Sequence, residues 1–226
     1  MQIPGDSGGP GAATVPVSEN AGTQSRPSAE QTQVLPERAL RLAVVVASVR
    51  EGRLGAAVAS WFSDEAKRHG RSDVDLIDLA TASLPLGLTN DPPSELMNVT
   101  SRLESADAFV VVTPEYNHSF PASIKSLIDW HFSQWRAKPV GFVSYGGRSG
   151  GVRAVEALRL VLAEMHAVTI RDTVSFPMVW ETFGENGRPV DEEESAAAAQ
   201  ALLDQLAWWA TALRQARTRS PYPVHA

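Results

Sequence analysis

The chain contains no cysteine, which excludes disulfides, thiolate nucleophiles, CxxC redox pairs and Cys-ligated iron or zinc. Any redox chemistry has to be borrowed from a cofactor. No apolar run approaches the ~20 residues of a membrane span, and the amino terminus lacks both the cationic start and the apolar core of a signal peptide. A soluble, cytoplasmic chain is expected. Basic residues number 20 against 26 acidic ones, a formal charge of -6, so nothing invites a nucleic-acid backbone or an anionic membrane. Residues 1–37 have no aromatic side chain and only scattered aliphatics among Gly, Pro, Ser, Thr, Gln and Ala. They cannot bury enough apolar area to offset the entropy of ordering, and a disordered tail is expected there. The full 226 residues suffice for one α/β core but not comfortably for two. The expected division is therefore the tail, one domain over residues 38–218, and a frayed end over 219–226.

Against this background, residues 107–130 organise the rest. Phe109, Val110, Val111 and Val112 show no polar alternation, which predicts a strand buried on both faces, as in a parallel sheet covered by helices. Pro114 removes a backbone donor and drives Thr113 into an extended conformation, so the strand should stop there. A polar loop follows, and a helix restarts near Pro121, a residue tolerated in a first turn, with Ile124, Leu127, Ile128 and His131 at helical spacing. Similar units recur along the chain. Residues 42–47 form a second apolar strand ahead of a helix carrying Val58, Trp61, Phe62 and Ala66. Residues 74–79 alternate apolar and acidic side chains, as an edge strand would. A weak helical pattern holds Leu96, Met97, Val99 and Leu103. Residues 138–144 and 169–174 supply the fourth and fifth strands, with an amphipathic helix between them to about His166. Residues 176–188 read as a loop carrying Trp180 and Phe183, and 191–214 as a last helix with acids at its start and arginines at its end, suiting its dipole. The aromatics of residues 130–135 are open to two readings, core or partner contact.

Three polar loops leave strands at their carboxyl ends, where open α/β sheets bind ligands. The first, Ser48-Val49-Arg50-Glu51-Gly52-Arg53-Leu54-Gly55, opens onto a helix amino terminus. Unpaired N–H groups there favour an anion, and Ser48, Arg50 and Arg53 add a hydroxyl and two guanidinium forks suited to phosphate. The alternative is a solvated turn with two surface arginines. The second loop is Glu115-Tyr116-Asn117-His118-Ser119. The third, Tyr145-Gly146-Gly147-Arg148-Ser149-Gly150-Gly151, has a backbone free for close ligand approach, or simply for a tight strand-to-helix turn.

Thr113-Pro114-Glu115-Tyr116-Asn117, with Ser119, Pro121, Ile124-Lys125 and Ile128-Asp129-Trp130, resembles the loop and helix of the NADPH-dependent FMN reductase family, which includes quinone, azo-dye and chromate reductases. Ser48 and Arg50 are similar to that family's Gly-Ser-x-Arg loop, with Ala47 where glycine is usual, and Ser144-Tyr145-Gly146-Gly147 with Ser149-Gly150-Gly151-x-Arg153-Ala154 resembles its third loop. The resemblance covers roughly residues 40–175. It implies an α/β, flavodoxin-like, doubly wound five-stranded parallel sheet in the order 2-1-3-4-5, with helices on both faces. By position it implies that Ser48, Arg50, Arg53 and Leu54 surround an FMN phosphate. Pro114, Glu115, Tyr116 and Asn117 would border the ribityl chain and ring, and Ser144, Tyr145, Gly146 and Gly147 the pyrimidine edge.

The implied activity is FMN-dependent NAD(P)H oxidoreduction, with NADPH or NADH as co-substrate and quinone-like acceptors or free FMN as oxidant, in ping-pong exchange. Hydride transfer needs no protein acid, base or nucleophile, so no catalytic residue and no metal are expected. Backbone N–H groups around Gly146 and Gly147 are expected to stabilise charge on the ring. His118 is read as a hydrogen-bonded or solvated loop residue rather than a general acid. No particular arginine is assigned to the 2′-phosphate that distinguishes NADPH from NADH, Arg148 being only a candidate, and a homodimer or higher homo-oligomer is the implied assembly. The alternative is a flavin-binding electron carrier or sensor without nicotinamide turnover. Arginines where a flavodoxin has a run of Ser, Thr and Gly argue against it.

Overall fold

A computed structural model describes residues 38–82, 84–89 and 92–223; the expected tail, Ser83, Asn90, Asp91 and residues 224–226 lie outside them. Five parallel strands, β1 (Leu40–Val46), β2 (Ser72–Asp78), β3 (Ala108–Pro114), β4 (Pro139–Tyr145) and β5 (Val168–Phe176), form one sheet in the order β2-β1-β3-β4-β5. This is the flavodoxin-like order expected from the sequence. β3 and β4 are buried throughout, whereas the edge strand β2 buries only Ile77, as its alternating acids require. The helices are α1 (Gly55–His69), α2 (Ser94–Ser105), α3 (Ala122–Trp130), α4 (Val152–Glu164), the single turn α5 (Val179–Thr182) and α6 (Glu192–Arg219).

Because side chains alternate along a strand, β1 serves two cores. Val44 and Val46 pack with Val58, Trp61 and Phe62 of α1 and Leu202 and Leu206 of α6. Ala43 and Val45 pack with Leu103 of α2, Ile124 and Leu127 of α3, and Leu158 and Leu162 of α4. Of the aromatics after α3, one takes the core reading. Trp135 is fully buried, tilted against Phe109 at 4.6 Å between ring centroids, while Phe132 is half exposed.

Boundaries shift where local pattern was weak. Pro121 caps α3 from outside instead of entering its first turn, and His131 follows the helix as its C-cap, its Nδ1 at 2.8 Å from the Leu127 carbonyl. β5 runs to Phe176, two residues past the expected end at Val174, because Ser175 and Phe176 still pair with β4. The last helix extends beyond the expected Arg214 to Arg219; it starts where expected, with Asp191 accepting from the Glu194 N–H at 3.0 Å. The expected loop over residues 176–188 contains α5, whose entry Met178 sits in the left-handed region at φ 48°.

Candidate functional site

Strand register brings the loops to one edge. β1 and β3 are neighbours whose connections leave on opposite faces of the sheet, the topological switch point where such sheets bind ligands. The ladder continues one residue beyond the strands, Ala47 N–H donating to the Val112 carbonyl at 2.9 Å and Glu115 N–H to that of Tyr145 at 3.2 Å. All three loops therefore begin at the same height. They enclose a cleft of about 360 Å³ whose wall includes Ser48, Arg50, Arg53, Leu54, Pro114, Glu115, Tyr116, Tyr145, Gly146 and Gly147. Ten of the twelve residues singled out in the sequence thus meet on one cleft.

In the first loop the two arginines differ. Arg53 donates to the Ser48 carbonyl at 3.0 Å and to Asp78, at the end of β2, at 2.6 Å. The Asp78 bond is the main reason its guanidinium is held above its usual value. Arg53 fastens the turn to the edge strand, which is a different task from forking an anion. Arg50 is exposed on the cleft wall and makes no ion pair or hydrogen bond with any described residue. No side chain caps α1 and no acid stands in its first turn, so the amides that begin it remain open to an anion.

The second loop is a tight reversal. Tyr116 and Ser119 exchange backbone hydrogen bonds at 2.8 and 3.1 Å, and Asn117 and His118 between them have φ of 49° and 74°. Positive φ at both central positions is what a primed turn demands, and Asn tolerates it well. This explains why Asn117 faces solvent and does not line the cleft, against expectation. The turn returns Tyr116 inward, its Oη 2.9 Å from Ser48 Oγ.

Glu115 joins the second loop to the third. Its carboxylate accepts from Ser149 Oγ at 2.9 Å, from Arg153 Nε at 2.6 Å and from the Arg153 backbone at 3.3 Å. Burial on its own raises this carboxyl, but the bonds from Arg153 and Ser149 outweigh it and leave it below its ordinary value.

In the third loop, Ser144 is buried and donates to the Gly150 carbonyl at 2.7 Å; it supports the loop from beneath and lies off the cleft wall, contrary to the sequence reading. Gly151 has φ 87°, and a Cβ there would lie 2.8 Å from Ser144 Cβ and 2.9 Å from the Tyr145 nitrogen, so only glycine fits. Gly146 also departs from expectation, since its N–H donates to the Phe176 carbonyl at 3.2 Å. The sheet has engaged that amide, leaving Gly147 as the member of the pair whose N–H is not drawn into the ladder. Tyr145 lines the cleft, and its hydroxyl lies beside Gly55 at the start of α1. Burial pushes its phenol up to about 12, with the neighbouring Ser48 hydroxyl acting the other way.

The sequence reading missed α5 as a wall. The carbonyls of Gly146 and Gly147 accept from Val179 and Met178 N–H at 3.0 and 2.9 Å. That contact sets Trp180, 60% exposed, on the cleft rim beside Gly147. A tryptophan in a Pro- and Gly-containing stretch after a fifth strand, on the same sheet edge as the other loops, was the available signal. Glu51, Gly52 and Val179 also line the cleft. No cluster of three or more His, Cys, Asp or Glu able to hold a metal occurs among the described residues, and no helix among them is long and apolar enough to cross a membrane.

Comparison with known proteins bears on the same segment. The sequence pattern of a family described as NADPH-dependent FMN reductase matches residues 40–181. The chain is 34% identical over 132 residues to an NAD(P)H-dependent FMN reductase of Schizosaccharomyces pombe, covering 52% of this chain and 65% of that protein. It is 30% identical over 181 residues to a quinone reductase of Pseudomonas putida, covering 74% of this chain and 93% of that protein. Among solved structures, the flavoenzyme NAD(P)H:(acceptor) oxidoreductase FerB from Paracoccus denitrificans has a TM-score of 0.65 at 26% identity, covering 77% of this chain and 98% of that one.

Proposed function

Because the chain belongs to the NADPH-dependent FMN reductase family, we propose that its cleft holds FMN and that the protein is an NAD(P)H-dependent oxidoreductase passing electrons to quinone-like acceptors or to free FMN. The observation that carries this reading is the convergence of Arg50, Tyr116 and Gly146, from three separate loops, on one cleft. The residues present fit the cofactor. An uncapped helix start and an unengaged Arg50 suit its phosphate, Tyr145 Oη is a buried polar atom with no partner among the described residues, and the cleft volume falls in the range of cofactor sites.

In this reading Arg50, Ser48 and the first amides of α1 hold the phosphate, while Pro114, Tyr116 and the backbone at Gly147 border the ribityl chain and ring. When bound, FMN supplies the redox chemistry, accepting a hydride from a nicotinamide and releasing electrons to an acceptor. The protein binds, orients and shields. Three titratable groups near the cleft are otherwise engaged: Glu115 is tied to Arg153, the Tyr145 phenol is held protonated by burial, and His118 faces solvent on its turn. Reductant and acceptor both have to reach the flavin from the open side of this cleft, so the two take turns at one face and the exchange is ping-pong. We further infer a homodimer, from the family likeness and from the exposed apolar side chains of Leu86, Leu88 and Met97.

The test is spectroscopic. Purified protein reconstituted with FMN should turn yellow, bleach anaerobically on addition of NADPH, and consume NADPH steadily when a quinone is supplied. Flavin bound tightly without turnover would instead indicate an electron carrier, and failure to bind flavin would end the proposal.

A further inference from the structure

Three hydroxyls crowd the phosphate end of the cleft with an odd division of partners. Ser48 Oγ is 2.9 Å from Tyr116 Oη. Tyr145 Oη is buried and makes no hydrogen bond of full geometry with any described residue, although the Ser48 hydroxyl stands close enough to act on the phenol. A Cβ placed on Gly55, the first residue of α1, would lie 2.5 Å from Tyr145 Oη and 3.3 Å from Ser48 Cβ, so both side chains flank one small space under the helix start. Tyr145 is 5% exposed and Ser48 1%. A buried phenol left without a partner lowers stability and calls for an explanation.

Donor counting supplies one. A serine hydroxyl has one proton to give and two lone pairs to accept with, and a phenol has one proton. If Tyr116 and Tyr145 both donate to Ser48 Oγ, its lone pairs are filled and its own proton has only the cleft to point into. An anion there completes the set, through a charge-assisted bond stronger than a neutral one. Ser48 and Tyr116 satisfy each other and leave Tyr145 Oη over, and a further acceptor for the Ser48 proton is what would free Ser48 Oγ to take both phenols.

We propose that Tyr145 is a positioning residue for the cofactor phosphate, acting through Ser48: its hydroxyl lacks a partner in the flavin-free protein and donates to Ser48 Oγ once a phosphate accepts the Ser48 proton. This rests on the FMN reading and moves Tyr145 from the ring to the phosphate end. Burial keeps the phenol protonated, with its value pushed up to about 12, so the donor is present at any working pH. The absence of a side chain on Gly55 has the same origin, since any Cβ would occupy the position of the Tyr145 hydroxyl.

The experiment titrates flavin-free full-length protein and its Tyr145→Phe variant with FMN and with riboflavin, which lacks the phosphate, following flavin fluorescence, and records the Tm of both unliganded proteins. The expected result is FMN affinity weakened about tenfold, the equivalent of one hydrogen bond near the upper end of the neutral range, with riboflavin affinity unchanged. The unliganded variant should melt no lower than the parent, because it has lost an unsatisfied group. In a Ser48→Ala background the Tyr145→Phe change should no longer affect FMN affinity, the signature of a pair acting as a unit. Equal weakening of FMN and riboflavin, no weakening of either, or a lower Tm for the unliganded variant would each overturn the proposal while leaving the flavin reading intact. A parent protein that binds neither flavin would remove both.

Discussion

Arg153, in the first turn of α4, grips the Glu115 carboxylate with Nε at 2.6 Å and a terminal nitrogen at 2.5 Å, so a residue of the second loop is bolted to the helix that follows the third. The carboxylate side chain is only 6% exposed while the guanidinium is 49% exposed. This places Glu115 among the residues that hold the cleft in shape, and takes its charge away from any ligand.

Replacing Glu115 by Gln should therefore loosen two loops together. The expected cost is about 1–2 kcal/mol, discounted for the solvent-screened guanidinium, and is read as a lower Tm with weaker FMN binding. The pH dependence has a definite sign. A carboxyl whose folded value lies below its ordinary 4.5 contributes stability that is fully present above that ordinary value and is lost as pH falls through the lower folded one. Thermal melts between neutral and strongly acid pH should show Glu115→Gln losing less stability on acidification than the parent; equal losses would place the acid sensitivity elsewhere.

The two arginines of the first loop should separate cleanly. Arg50→Ala is expected to leave stability within about 0.5 kcal/mol of the parent, as for an exposed residue, yet weaken FMN binding about 10- to 100-fold through a lost charge-assisted bond. Arg53→Ala should lower Tm, because it releases both the Ser48 carbonyl and Asp78. Paired melting and binding curves for the two variants decide the matter, and identical profiles would contradict the division of labour.

Trp180 stands exposed on the rim and is anchored through its neighbours Met178 and Val179. Trp180→Ala should raise the KM for aromatic acceptors several-fold through lost stacking area, with FMN affinity much less affected. Steady-state kinetics with a quinone and with a non-aromatic acceptor such as a ferric chelate should differ in this respect; a uniform change in both would argue for a structural role.

Far from the cleft, Lys138 is buried, donating from Nζ to the Leu103 and Glu104 carbonyls at 2.9 and 3.0 Å. Burial, with repulsion from Arg217, brings its value down to about 8 against the opposing pull of Asp107 and Glu104. Between that value and the ordinary 10.5 the unfolded chain binds the proton that the folded one has released, so this group makes stability rise with pH across that window. Lys138→Met should flatten the Tm profile there, measured against the parent in the same buffers; an unchanged slope would count against a depressed lysine.

Much of this arrangement was legible along the chain because it depends on local cause. Apolar runs without alternation gave β1, β3 and β4, and Pro114 marked the end of β3. The loops at their carboxyl ends followed from topology. The sequence did not reveal which polar groups were already engaged. Arg53 looks like a phosphate fork until Asp78, 25 positions away, is brought beside it. The Gly146 N–H is engaged by Phe176, and Glu115 by Arg153. Such pairings join separate elements and leave no periodic trace. Asn117 and Trp180 differ from the sequence reading for opposite reasons, the first carried over by resemblance where its backbone angle turns it to solvent, the second passed over because a lone aromatic after β5 carries no pattern.

The family pattern ends at residue 181, one turn short of what steadies the rim. Beyond it, Phe183 bridges to Pro189 and Val190 N–H returns to the Thr182 carbonyl at 2.9 Å, bracing α5 from a stretch the pattern does not cover. On the function proposed above, retention of the prosthetic group and contact with the oxidant fall to different segments, the three loops for the first and the α5 rim for the second. Exchanging residues 177–190 with those of a relative should therefore carry acceptor preference across while leaving flavin affinity where it was, and a loss of flavin on exchange would show that the brace serves the grip as well as the doorway.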